Sequence, residues 1–402
     1  MTPVSSRQAR GDVPWTSAIF QTVLACSLIG VMGVTLISPI LPDLRSVFKI
    51  SDAQIGLMIT AYTLPGVFLT PFIGLLSDRL GRRTVVLPLL VLFGLAGGGI
   101  ALGPSFRGVL ALRFVQGIGG SGLMVLAITL IGDFYGGKRR NKIMGVNGSA
   151  IGIGAATYPL LGGALATIRW NIPFAFFGLS LVVGAIALFT LEEPTIADPP
   201  AIGTYVSRVI SAVLISRALG LWAAAFLTFF LFYGCILTVL SLLLSDVHGL
   251  SAGQIGLLFS MVSIANATTA SQYGRISQYF DARQLISLGF VGFGVSLLGV
   301  WAASTPILIG AMLLCFGLGF GLVMPSLDTT VVSLVSGQLR ASMMGVLTSM
   351  LWLGQTVGPI AFTGFAGAAF DEPVTGYRFS LLFWGTATLI GGVLAFLALN
   401  RR

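Results

Sequence analysis

Ser51-Asp52-Ala53-Gln54-Ile55-Gly56-Leu57 returns 200 residues later as Ser251-Ala252-Gly253-Gln254-Ile255-Gly256-Leu257. The same offset pairs Gly74 with Gly274, Arg83 with Arg283, Phe93-Gly94 with Phe293-Gly294, and Gly117 and Gly119 with Gly317 and Gly319. Further on it pairs Gly137, Arg140, Met144 and Gly145 with Gly337, Arg340, Met344 and Gly345, then Gly154 and Pro159 with Gly354 and Pro359. A register held without a gap across so many glycines marks two copies of one structural unit.

Composition says what kind of unit it is. The 402 residues are 55% hydrophobic and 9% charged, with mean hydropathy +0.97. Soluble chains carry roughly 25% charged residues, so this chain has too few to cover a water-facing surface. The two copies therefore read as halves of one membrane domain, an arrangement in which a binding site can lie between halves. The net charge of +9 comes from short basic clusters between apolar runs, which set membrane topology rather than bind nucleic acid. Cys26, Cys235 and Cys315 all lie within apolar stretches and read as small buried hydrophobes, with no disulfide framework. The first apolar run, from Ser17 to Leu41, is longer than a signal-peptide core of roughly 7–15 residues and reads as a retained span.

A helix needs roughly 20 apolar residues to cross the hydrocarbon core. Spans are expected at 17–41, 54–76, 84–103, 108–132, 143–166 and 172–191, then at 219–244, 254–277, 284–302, 306–335, 341–369 and 377–399. The expected fold is an all-α membrane protein of twelve transmembrane helices in two six-helix pseudo-repeats. Residues 1–191 form the first half, 192–218 a polar linker with a short surface helix near Tyr205–Leu214, and 219–402 the second half. With the N-terminus in the cytoplasm, sixteen basic residues fall on inner segments: Arg7, Arg10, Arg79, Arg82, Arg83, Lys138, Arg139, Arg140, Lys142, Arg208, Arg217, Arg275, Arg283, Arg340, Arg401 and Arg402. Five fall outside, namely Arg45, Lys49, Arg107, Arg169 and Arg378. The positive-inside rule then places both termini in the cytoplasm of a multi-pass protein of the plasma (inner) membrane.

Several polar groups stand out against this apolar background. Between spans two and three runs Gly74-Leu75-Leu76-Ser77-Asp78-Arg79-Leu80-Gly81-Arg82-Arg83-Thr84, a carboxylate, a glycine turn and three guanidinium groups at one helix junction. The second copy reads Gly274-Arg275-Ile276-Ser277-Gln278, with an amide in place of the acid. Arg113 lies inside span four, where a guanidinium usually faces a watery cavity or a partner, although snorkelling to the interface also accommodates one. Gln116 lies one turn further in on the same face. Asp328 is the acidic residue deep in span ten, on a helical face with Gly317, Gly321 and Met324. Spans five and eleven carry Gly154, Tyr158, Pro159, Gly162 and Gly163, and Gly354, Gly358 and Pro359. Small residues four apart let helix backbones approach closely, and proline bends the helix. His248 reads as a solvated loop residue. No metal-ligand spacing, nucleophile–base pair or phosphate-cradling Gly-Lys loop occurs, so no cofactor is expected and ATP is not the direct energy source.

The Gly74–Thr84 segment resembles the loop motif of the major facilitator superfamily, G-x-L-a-D-r-x-G-r-k, and Arg113–Gly120 is similar to that superfamily's R-x-x-q-G-x-g pattern. Gly154–Gly163 is similar to its antiporter pattern g-x-x-x-G-P-x-x-G-G, with Tyr158 in place of one glycine; the second copy keeps Gly358-Pro359. The resemblance covers nearly the whole chain and is nearest to the drug–proton antiporter branch. It implies proton-coupled efflux of small organic compounds by a monomeric, non-enzymatic transporter working by alternating access. An importing symporter or facilitator is the alternative, and a non-transporting membrane receptor a remote one. It implies a latch made of Gly74, Asp78, Arg79, Gly81, Arg82 and Arg83, with Asp133 joining it, that holds the outward-open state. Gly154, Pro159, Gly162, Gly163, Gly354, Gly358 and Pro359 would act as hinges. Arg113, Gln116 and Asp328, then Tyr62, Asn147, Tyr158 and Asn266, would line the cavity. An apolar or amphipathic substrate is expected, with Arg113 pointing to an anionic one. Span one has no acid between Ser17 and Pro42, where several proton-coupled exporters of the family carry one. That leaves Asp328 to carry the coupling proton.

Overall fold

The structure is a computed structural model that describes residues 13–193, 202–215, 218–334 and 339–400. Every regular element among the described residues is helical. Six long helices precede the linker: α1 Ala18–Phe48, α2 Asp52–Leu80, α3 Arg82–Leu102, α4 Phe106–Phe134, α5 Gly137–Ala166 and α6 Ile172–Thr190. Six follow it: α7 Leu219–His248, α8 Ala252–Ile276, α9 Ala282–Ala302, α10 Pro306–Leu334, α11 Leu339–Ala369 and α12 Pro373–Asn400. Ten of the twelve are long and apolar enough to cross a membrane. The exceptions, α8 and α11, have the length but interleave Ser, Thr, Asn and Gln with their apolar residues. Those polar residues include the groups that face the opposite half. The expected surface helix is present as Ile202–Val213. Arg7, Arg10, Arg217, Arg401, Arg402 and the Arg208 side chain lie outside the described residues.

The repeated heptapeptide begins α2 and α8, and its Ser and Gln form capping boxes. The Ser51 amide donates to Gln54 Oε1 at 2.9 Å, and the Ser251 amide to Gln254 Oε1 at 2.9 Å. Each box satisfies donors that the first helical turn leaves orphaned. α1 breaks near its end because Pro39 has no N–H to offer the Thr35 carbonyl, and the Ser38 hydroxyl donates there instead at 3.3 Å. α7 widens into a π-helix over Phe232–Val239. Cys26, Cys235 and Cys315 are free thiols.

One face of the bundle holds the α2–α3 and α4–α5 junctions with Arg79, Arg82, Arg83, Lys138, Arg139, Arg140 and Lys142; it is termed the basic face. The other is the sparse face. The halves meet along two seams, α2 on α11 and α5 on α8, and the α5–α8 seam is tight toward the sparse face, where Gly163 and Gly256 meet facing backbone. On α5, a methyl carbon added at Gly145, Gly148 or Gly152 would meet nothing within 4 Å, and the same is true at Gly274 of α8. The α5–α8 seam is thus shut on the sparse face and parted on the basic face.

Candidate functional site

The two seams are built from equivalent residues of the two repeats. The Thr60 hydroxyl of α2 donates to the Thr356 carbonyl of α11 at 2.8 Å. Two hundred residues away in register, the Ser260 hydroxyl of α8 donates to the Ala156 carbonyl of α5 at 2.6 Å. One turn deeper, Thr63 accepts from the Thr356 hydroxyl at 3.0 Å, and Ser263 donates to the Ala155 carbonyl at 3.0 Å. Pro159 cannot supply an N–H to Ala155, so the serine meets a carbonyl that the kink set free. Gly256 abuts the Pro159 carbonyl, where any side chain would overlap it, and Gly56 lies against Pro359 with 3.0 Å from a built Cβ to the Pro359 oxygen.

At the sparse rim a charged cluster crosses between halves. Arg45 donates to Asp52 at 2.7 Å within the first half and to Asp246 at 3.0 Å, with a second bond to Asp246 through its other terminal nitrogen. The Tyr377 hydroxyl of α12 donates to Asp52 at 2.7 Å. Both ends of the Arg45–Asp246 pair are partly exposed, and bidentate pairs of that kind contribute about 1 kcal/mol. Asp246→Asn should therefore raise labelling of a cysteine placed at Ala156 from the sparse face about fivefold, while Asp43→Asn should leave it unchanged. Equal labelling of both variants would remove the cluster from the closure.

Within the first half, Arg113 of α4 is fully buried. Its Nε donates to the Met58 carbonyl at 3.1 Å, and its Nη1 donates to the Gly33 carbonyl at 2.9 Å and to Gln116 Oε1 at 2.7 Å. Its guanidinium stands 4.5 Å from the centre of the Tyr62 ring, a cation–π contact. Burial without a carboxylate departs from snorkelling, because the charge has not reached an interface. The structure brings Arg113, Gln116 and Tyr62 together. Tyr158, Asn147, Asn266 and Asp328 lie elsewhere. Tyr158 is buried against Gly154, and Asn147 is buried on the basic-face half of α5. Asn266 presents its carbonyl to Gly321 of α10, and Asp328 is exposed near the basic end of that helix.

At the α2–α3 junction, Arg82 is buried and pairs with Asp78, with Asp133 through Nε at 2.8 Å, and with the Ser77 hydroxyl. Arg82, Asp78, Asp133 and Ser77 all belong to the first half. Glu193, just past α6, caps α3 by accepting from the amides of Arg82 and Arg83, a carboxylate at a helix N-terminus. Arg83 donates to the Leu188 carbonyl. In the second copy Asp281 caps α9 instead, accepting from the Gln284 amide at 2.8 Å. Gly74 has open space around it, and Gly81 adopts φ +97°, a turn that favours glycine. Of the expected hinge glycines, Gly154 and Gly162 pack on α1, Gly354 and Gly358 on α7, and Gly163 meets the other half at Ala252 and Gly253.

Sequence reasoning passed over Arg45, Asp52, Asp246, Tyr377, Glu193, Trp352 and the seam hydroxyls. The hydroxyls carried a signal, since Thr60 and Thr63 stand in register with Ser260 and Ser263. The pairings of Arg45 with Asp246, of Asp52 with Tyr377 and of Glu193 with the start of α3 carried none, as these partners are distant in the chain.

The family model of the Major Facilitator Superfamily matches residues 23–252 and 221–402. The bacillibactin exporter of Bacillus subtilis is 26% identical over 359 residues, covering 83% of this chain and 86% of that protein. The quinolone resistance protein NorA of Staphylococcus aureus is 23% identical, covering 85% and 87%. Among solved structures, an inward-facing, unoccupied bacterial homologue of the human lysosomal transporter Spinster superposes with a TM-score of 0.73 at 19% identity, covering 96% of each chain.

Proposed function

The chain belongs to the major facilitator superfamily, a family of membrane transporters, and from that premise we propose that it exports small organic compounds across the inner membrane in exchange for protons. One observation carries the mechanism. Repeat-related bonds, Thr60 to Thr356 and Ser260 to Ala156, close the sparse face while the basic face stands apart. Rocking of two equivalent halves about such seams gives alternating access to a site near the midplane. The sixteen-to-five distribution of basic residues supports a cytoplasmic basic face, which makes this conformer inward-facing and puts both termini in the cytoplasm. Similarity to a bacillibactin exporter and to a quinolone resistance protein supports efflux as the direction.

In this reading residues 1–191 and 219–402 are the moving halves, joined by 192–218, in a monomer. Asp78, Arg82 and Asp133 are held ready within the first half and engage the second when the basic face closes. Asp78→Asn keeps the volume and removes the charge. It should raise labelling from the cytoplasm of a cysteine at Gly148 and lower export severalfold, whereas unchanged values for both would leave Asp78 without a part in closure.

The reading is tested by expressing the protein in cells loaded with ethidium, Nile red or fluorescein. At least one dye should accumulate less than in control cells, and a proton uncoupler should erase the difference. Greater accumulation in expressing cells would favour import instead.

A further inference from the structure

We propose that the corner where α7 and α9 begin and α10 and α12 end binds one anionic phospholipid from the leaflet at the basic face, with its phosphate on Arg283 and an acyl chain in the slot beside it. The slot measures about 510 Å³, within the range of roughly 300–1,000 Å³ that holds one organic molecule. Gly220, Leu221 and Ala224 of α7, Ile286 of α9 and Ala398 of α12 give it apolar walls. Its two hydroxyls are engaged on their own helices: Ser287 donates to the Arg283 carbonyl at 3.0 Å and Thr330 to the Ser326 carbonyl at 2.6 Å. Among the described residues Arg283 is the one cation that lines the slot. Its side chain is exposed and joins none of the ion pairs among those residues. Asp281, the acid nearest to it in the chain, accepts instead from the Gln284 amide at 2.8 Å.

The first half completes the same corner from within the chain. In the register of the repeat, Gly220 corresponds to Phe20 and Arg283 to Arg83. Phe20 is fully buried, with the Trp15 ring edge-on to it at 5.5 Å. Arg83 donates to the Leu188 carbonyl of α6, and Glu193 accepts from the Arg83 amide at 3.1 Å. In the second half a glycine replaces the ring, and a methyl carbon added at Gly220 would meet nothing within 4 Å. Open space and an unpaired guanidinium thus fall together in one repeat where the other has an aromatic ring and a bonded arginine. A soluble anion would use only the guanidinium, whereas a phospholipid uses both. Its phosphate makes charge-assisted bonds to Arg283, and its chain leaves water for the apolar walls. The setting favours a lipid as the source. Leu219, Leu394 and Leu397 beside the slot are about half exposed, so its walls run on into the apolar outer surface, and anionic headgroups are drawn to basic side chains at a membrane surface.

The test uses the full-length protein in dodecyl maltoside with dimyristoyl phosphatidylglycerol and dimyristoyl phosphatidylcholine, which share their chains and differ in net charge. Native mass spectrometry counts the lipids that stay bound. The wild type should hold one phosphatidylglycerol about fivefold more tightly than phosphatidylcholine. Arg283→Gln should equalise the two by weakening phosphatidylglycerol. Gly220→Phe puts a ring where the first half has one, and should weaken both lipids severalfold. Should Gly220→Phe fold poorly, Arg283→Gln decides, because its side chain is exposed and makes no ion pair to lose. Equal retention of the two lipids by the wild type, or a preference that survives Arg283→Gln, overturns the proposal. So does binding unchanged in a folded Gly220→Phe protein, because lipid would then coat the perimeter without choosing this slot. Glycerol 3-phosphate binding as tightly as phosphatidylglycerol would also overturn it, by making the ligand a soluble phosphate. A dimer that Gly220→Phe dissociates, with no lipid preference, would do the same by giving the corner to a second copy.

Discussion

Gly256→Leu should abolish transport while the protein still inserts, because the sparse face could no longer shut. At Gly256 the obstacle is backbone, the Pro159 carbonyl on the facing helix, so no rotamer change makes room. Overpacking of this kind costs about 3 kcal/mol, and a clash present in only one of two states moves their ratio about 150-fold. A cysteine at Ala156 should then label from the sparse face and one at Gly148 should lose reactivity from the basic face. Gly56→Leu should be milder, since the nearest atom to a built Cβ is the Thr363 hydroxyl at 2.5 Å, which can rotate, with the Pro359 oxygen at 3.0 Å. Gly162→Leu should fail differently. It overlaps the Leu36 carbonyl within the first half, so the clash exists in every conformer and lowers folded yield. Normal transport by Gly256→Leu would reduce the seam to ordinary packing.

The second large effect is expected at Asp328. Asp328→Asn should abolish pH-driven uptake into everted vesicles and spare substrate binding and downhill exchange, because an amide keeps hydrogen-bonding capacity but has no proton to exchange. Asp328 has no hydrogen-bond or ion-pair partner among the described residues and lies exposed near the basic end of α10, where water from the open side can reach it. The acids at the latch and the rim, by contrast, are each engaged with an arginine. Retained pH-driven uptake in Asp328→Asn would move the proton to Asp78, Asp133 or the substrate.

The repeat made most of the fold legible. An offset of 200 residues aligned caps, glycines and prolines, and the twelve helices fall where the apolar runs stand. Helix ends were less readable: α2 begins at Asp52, two residues before the apolar run expected from 54, because the Ser51–Gln54 box starts the helix on polar residues. The kind of contact was legible where chemistry is local, as in the Asp78–Arg82 pair four residues apart across the Gly81 turn. It was not legible where two helices meet. Gly162 and Gly163 are neighbours in the same motif, yet one packs on α1 and the other on α8, and only three-dimensional register separates them. Arg45 reads as one of five outer cations, and nothing in the sequence joins it to Asp246, 201 residues away. The π-helical turn of α7 likewise has no sequence signal.

Proton-driven export by rocking halves is tested most directly in proteoliposomes of the purified protein without nucleotide. A compound exported by cells is added outside while the lumen is made acidic. Uptake is expected only with the lumen acidic, should collapse on adding an uncoupler, and should be absent in the Gly256→Leu protein. Uptake of equal rate without a pH gradient, or uptake driven only by the reverse gradient, would contradict it.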